Sequence, residues 1–82
     1  MKLEEFKVYI NHMKKMGYNI YIEEYDCSTC IFYNDNLIMQ ISNNIFFSFH
    51  IYFNYFNDLN DNIRMKLMVL LMNLASTSLE YR

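Results

Sequence analysis

The sequence predicts an α+β domain in the order helix, antiparallel sheet of three or four strands, helix, with both helices on one face of the sheet. Three observations carry that expectation. Apolar residues recur every three or four positions at the start, a period of two dominates from Tyr18 to Tyr55, and a second helical stripe closes the chain. Residues 1–82 are read together as one compact domain.

Leu3, Phe6, Tyr9, Ile10, Met13 and Met16 fall on one side of a helical wheel, while Glu4, Lys7, Asn11, Lys14 and Lys15 fall elsewhere. Acidic residues open this helix and lysines close it, in accord with the helix dipole. Gly17, the only glycine, follows where a left-handed cap is needed. The polar clusters Cys27-Ser28-Thr29-Cys30, Asn34-Asp35-Asn36 and Ser42-Asn43-Asn44 then divide four strands, expected over Tyr18–Cys27, Cys30–Tyr33, Leu37–Ile41 and Ile45–Tyr55.

Loops of two, three and three residues align the alternation across these strands. Ile20, Ile22, Ile31, Tyr33, Leu37, Met39, Ile41, Ile45, Phe47, Phe49, Ile51 and Phe53 then share the core face. The opposite face carries Tyr21, Glu23, Tyr25, Cys27, Cys30, Phe32, Ile38, Gln40, Phe46, Ser48, His50 and Tyr52. After the N-cap candidates in Asn57-Asp58-Leu59-Asn60-Asp61, Ile63, Leu67, Leu70, Leu71 and Leu74 form the core stripe of a second helix. Met65, Met68, Val69 and Met72 form another stripe, expected to fill core gaps. Thr77-Ser78-Leu79-Glu80 has capping-box spacing, and the tail is expected to fray.

Composition narrows the function classes. Aromatic residues are 18% of the chain and there is no proline, so an open coil or a linker is excluded. A domain this size draws only about 3–5 kcal/mol from its core, so a dimer contact, a metal or a partner is expected to assist it. The net charge is −2, and the isoelectric point near 5.5 argues against direct nucleic-acid binding. The longest apolar run, Leu67 to Met72, is too short to cross a bilayer, and acidic Glu4 and Glu5 stand where an export signal needs bases. A cytoplasmic protein without membrane contact is expected.

Cys27-x-x-Cys30 could supply half of a tetrahedral zinc site, with His12 and His50 as the remaining candidates. In the expected register His50 lies about four residues along the sheet from the cysteines, roughly 13 Å, and His12 is on a helix over the other face. Two free cysteines are therefore preferred, with zinc or a bridge between chains as the lesser alternative. No combination of nucleophile, base and binding loop suggests an enzyme, and Glu23, Glu24 and Asp26 alternate sides as a solvated strand end would.

The open sheet face is too aromatic for an ordinary wet surface. Tyr21, Tyr25, Phe32, Ile38, Phe46 and Tyr52 form an expected apolar patch of the kind that marks protein contacts. Partner contacts are assigned to Tyr21, Glu23, Tyr25, Tyr52 and Asp58. The rival reading is a structural homodimer that buries this face or the Met65–Met72 stripe, with zinc at Cys27 and Cys30 as an optional support.

A compact helix–sheet–helix order in a short acidic chain, rich in residues with AT-biased codons, resembles the small accessory proteins of phages and prophages in low-GC Gram-positive bacteria. Type II-A anti-CRISPR proteins are among these. Leu74-Ala75-Ser76-Thr77-Ser78-Leu79-Glu80-Tyr81-Arg82 is similar to a Leu-Ala-x-Thr-Pro-Leu-Glu-x-Arg stretch of phage proteins, with Ser78 in place of the proline. The resemblance implies a stoichiometric inhibitor of a host defence protein such as Cas9. The acidic groups Glu23-Glu24-Asp26 and Asp58 with Asp61 are too few for DNA mimicry, so the contact is expected through the tyrosine-rich face.

Overall fold

A computed structural model describes all residues, 1–82. The chain runs α1 (Leu3–Lys15), β1 (Ile20–Glu24), β2 (Ser28–Tyr33), β3 (Asn36–Ser42), β4 (Phe49–Ile51), α2 (Phe53–Phe56) and α3 (Asp61–Ala75), then a short 3-10 turn, Leu79–Tyr81. The four strands form an antiparallel meander in chain order. The class is α+β, with helix, sheet and helix in the expected sequence.

α1 begins with Glu5 accepting a hydrogen bond from the Lys2 amide at 3.3 Å. It ends with Gly17 at φ +105°. There the Gly17 amide donates to the Lys14 carbonyl (3.1 Å) and the Tyr18 amide to the Met13 carbonyl (3.2 Å), the paired bonds of a Schellman cap. Lys7 reaches from α1 to Glu24 at the end of β1, 2.7 Å away. The hydrogen bond to Glu24 raises the Lys7 pKa. At this exposure such a pair contributes at most about 1 kcal/mol.

α3 is capped by Asn60, whose side-chain oxygen accepts from the Ile63 amide at 3.0 Å. Its stripe Ile63, Leu67, Leu70, Leu71 and Leu74 joins Phe6, Ile10 and Met13 of α1 and Ile20, Ile31, Met39 and Ile41 of the sheet in one core. Phe56, the last residue of α2, and Leu59, in the turn before α3, complete it. Met65, Met68, Val69 and Met72 do not fill core gaps: all four are exposed.

The strand pairings differ from the expected ones in an instructive way. Cys30 pairs with Glu23 and not with Cys27, so β1 stops at Glu24 and Tyr25-Asp26-Cys27 becomes the turn. Ile41 pairs with Phe49 and not with Ile45. Both slips are even, and an even slip leaves every side chain on its original face. Ile20, Ile22, Ile31, Tyr33, Phe49 and Ile51 accordingly stay in the core or packed against it.

Between β2 and β3 the turn has two residues, Asn34 and Asp35, both at positive φ (50° and 64°), as a right-twisting hairpin requires. A bulge opposite Ile31 and Phe32 restores the pairing of Ile31 with Met39. The extra residue is Ile38, expected on the open face and found fully buried in the core. Leu37, expected inside, pairs with Phe32 and is half-buried.

The fourth strand is the largest departure. Alternation from Ile45 to Phe53 predicted a continuous strand, but only Phe49–Ile51 pairs. Asn43–Ser48 is a loop, in which Ile45, Phe46 and Phe47 are exposed, and Phe53–Phe56 winds into α2 with Phe53 and Tyr55 exposed. Long-range and local bonds together hold the loop. The Asn43 amide donates to the Cys27 carbonyl at 2.9 Å, and the Ser42 hydroxyl accepts from the amides of Asn44 and Ile45 at 3.2 and 3.0 Å.

The tail is tied down where fraying was expected. The Arg82 guanidinium donates to the carbonyls of Ser42 (2.8 Å), Ala75 (3.1 Å) and Thr77 (3.1 Å). Ser78 makes no side-chain cap, so the capping-box spacing yields only the 3-10 turn.

Candidate protein-binding face

β1 and β2 place Tyr21 directly opposite Phe32, and the two rings stack at 5.2 Å between centroids with 11° between planes. Leu37, across from Phe32 on β3, extends this apolar strip. The neighbouring row crosses all four strands through Glu23, Cys30, Gln40 and His50. Beyond it Tyr52 lies with its ring 4.3 Å from that of His50.

Three tyrosine hydroxyls are each anchored. Tyr21 donates to Asp35 at 3.0 Å, Tyr25 to Glu23, and Tyr52 to Gln40 at 3.0 Å. The hydrogen bond to Asp35 raises the Tyr21 pKa above its ordinary value, and the hydrogen bond to Glu23 does the same for Tyr25. In each case ionisation would put a phenolate beside a carboxylate. The rings are therefore held neutral and oriented, with the carboxylates of Asp35 and Glu23 beside those of Tyr21 and Tyr25.

Tyr21, Glu23, Tyr25 and Tyr52 are thus brought to one side of the sheet, although Tyr25 sits in the β1–β2 turn and not in a strand. Asp58 is not among them. It is exposed in the turn between α2 and α3, its amide donating to the Tyr55 carbonyl at 3.1 Å. Ile38 and Phe46 also leave the expected patch, one into the core and the other into the β3–β4 loop. Asp35 and Gln40, which fix two of the tyrosines, were not singled out as contacts. The available signals were a polar Gln40 inside the aliphatic strand β3 and an Asp35 in the turn that follows Tyr33.

Cys27 is exposed in the β1–β2 turn and Cys30 is buried on β2. The Cys30 thiol lies 3.8 Å from the Ser28 hydroxyl. His50 is not four residues along the sheet from the cysteines. It shares the cross-strand row of Cys30, two strands away, roughly 10 Å at normal strand spacing. No three His, Cys, Asp or Glu side chains gather as a metal-binding group. No helix is long and apolar enough to cross a membrane.

The fold and this face define a small α+β domain with an ordered aromatic sheet surface. No known family model matches the sequence, and neither the curated proteins nor the solved structures contain a match to it.

Proposed function

We propose that the protein acts by binding another protein through this tyrosine-rich face, as a non-enzymatic inhibitor of a bacterial defence effector, most specifically Cas9. The observation that carries the reading is the anchoring of Tyr21, Tyr25 and Tyr52 to Asp35, Glu23 and Gln40 around the Tyr21–Phe32 stack. Ordering a free side chain at an interface costs about 0.5–1.5 kcal/mol, and here much of that ordering precedes contact. Tyrosine is also among the residues that dominate binding energy. The carboxylates among the rings suit a partner rich in Arg and Lys, as a nucleic-acid-handling effector is. The resemblance to phage accessory proteins supplies the choice of effector and the site of action, the bacterial cytoplasm.

The test is titration into a guide-loaded type II-A Cas9 cleavage reaction, with the protein added before guide, before DNA or after DNA. Inhibition near equimolar ratio is expected, and the order of addition identifies the blocked step. Replacing Tyr21 and Tyr25 together by Ala is expected to weaken inhibition by roughly 30-fold or more, the scale of a binding hot spot. No inhibition at large excess would overturn the reading.

A further inference from the structure

α1 and α3 run antiparallel. The Met1 amine, beside the start of α1, donates to Thr77 just past the end of α3 (2.7 Å), and Asn60, at the start of α3, donates to the Tyr18 hydroxyl just past the end of α1 (2.6 Å). Between them lies an open groove of about 760 Å³, floored by Met13 and Leu70. Its walls are Val8, Tyr9 and Met16 from α1 and Met65 and Val69 from α3. These five are 62%, 50%, 61%, 67% and 64% exposed, and Met72, one turn beyond Val69, is 44% exposed.

We propose that a second copy of this chain covers the groove, forming a symmetric dimer in which two antiparallel helix pairs pack face to face. Area is the first argument. An aromatic side chain buries about 150–250 Å², and valine or methionine presents less, so at these exposures the six residues together present on the order of 600 Å². That lies at the upper end of the roughly 300–600 Å² of the largest apolar patch on an ordinary monomer. It approaches the ~800 Å² that each partner loses in a standard interface.

Charge is the second argument, and it selects a second copy. α1 is acidic in its first turn, at Glu4 and Glu5, and basic in its last, at His12, Lys14 and Lys15. A two-fold axis lying across the helices sets α1 antiparallel to its symmetry mate, so each acidic end meets the partner's basic end, and the match occurs twice. Every neighbouring pair of helices in the resulting four-helix layer is antiparallel, the arrangement of an up-down bundle. Methionines at Met16, Met65 and Met72 can adapt to the facing surface. The dimer uses the helices, so Tyr21 and its neighbours remain available to a different partner.

Sedimentation velocity over about 1–300 µM, the range in which weak to moderate interfaces titrate, tests the proposal. The wild-type protein is expected to pass from monomer to dimer. Val69→Glu and Met65→Glu, both at exposed positions, are expected to keep the wild-type circular dichroism and to weaken association by at least about 30-fold. Lys15→Glu alone is expected to weaken it, and adding Glu4→Lys in the same chain to restore it. A protein that stays monomeric throughout overturns the proposal. So does a dimer that Val69→Glu leaves intact or that Tyr21→Ala abolishes, since the interface would then lie elsewhere.

Discussion

Thr29 donates its hydroxyl proton to the side-chain oxygen of Asn43 at 2.8 Å, joining the start of β2 to the loop that follows β3. Thr29 is the one buried polar residue, with no exposed surface, and Asn43 also donates to the Tyr25 carbonyl at 2.9 Å. A single asparagine thus satisfies a buried hydroxyl and holds the turn that carries Tyr25.

Asn43→Ala strands that hydroxyl and releases the turn. Leaving a buried polar group unpaired costs about 1–3 kcal/mol, and in a domain of this size each kcal/mol lowers the Tm by roughly 4–8 °C. Thr29→Val removes the hydroxyl along with its need for a partner and is expected to cost less than about 1 kcal/mol. Thermal melts of the two variants decide it, and equal losses would refute the account.

The anchored tyrosines predict a late alkaline titration. Hydrogen bonds to Asp35 and Glu23 raise the pKa of Tyr21 and Tyr25 in the folded chain. A raised pKa means that the bonds stabilise the fold fully below the unfolded phenol value, about 10. Their contribution disappears as pH climbs through the raised folded values. In ultraviolet titration of tyrosinate, Tyr21→Phe and Tyr25→Phe should each remove a phenol ionising above pH ~10. Removal of one that ionises at or below that pH would contradict the geometry.

Ile31 and Ile45 both sit at positions where alternation predicts the core, yet Ile31 has no exposed surface and Ile45 is 62% exposed. Ile31→Ala should therefore cost about 2–5 kcal/mol, enough to unfold much of so small a domain. Ile45→Ala should stay within about 0.5 kcal/mol. Urea unfolding of both variants measures the contrast, and similar losses would mean that the β3–β4 loop packs inward.

Gly17 tests the end of α1. At φ +105° a side chain is strained, although an added Cβ would meet no atom within 4 Å. Gly17→Ala should cost about 1–2 kcal/mol through the backbone alone, read as a lower urea midpoint with unchanged slope. A stabilised Gly17→Ala variant would show that the Schellman cap does not form.

The aromatic sheet face was partly legible for the same reason that the core was. Side-chain direction depends on parity, so Tyr21, Glu23 and Phe32 could be assigned to the open face without knowing their true partners. Parity also put Tyr25 on that face, as part of a strand that in fact ends one residue earlier at Glu24, whereas Asp58 had no such support, because parity has no meaning in a turn. Nor could parity reveal that Gln40 and Asp35 would fasten the neighbouring rings, since Gln40 lies twelve positions from Tyr52 and Asp35 fourteen from Tyr21.

By itself the amino-acid order determined the α+β class, the span of α1 and its glycine cap, the buried stripe of α3 and the inward parity of most strand residues. Each follows from interactions within a few positions along the chain: capping bonds, helical spacing and the two-residue repeat of a pleated strand. Tertiary structure decided which residues pair, where the bulge turns Ile38 into the core, and why β4 shrinks to Phe49–Ile51. Alternation is blind to even slips, whereas the bonds from Asn43 to Tyr25, Cys27 and Thr29, and from Arg82 to Ser42, act between segments far apart in sequence. Only closure of the whole chain brings those groups within hydrogen-bonding distance.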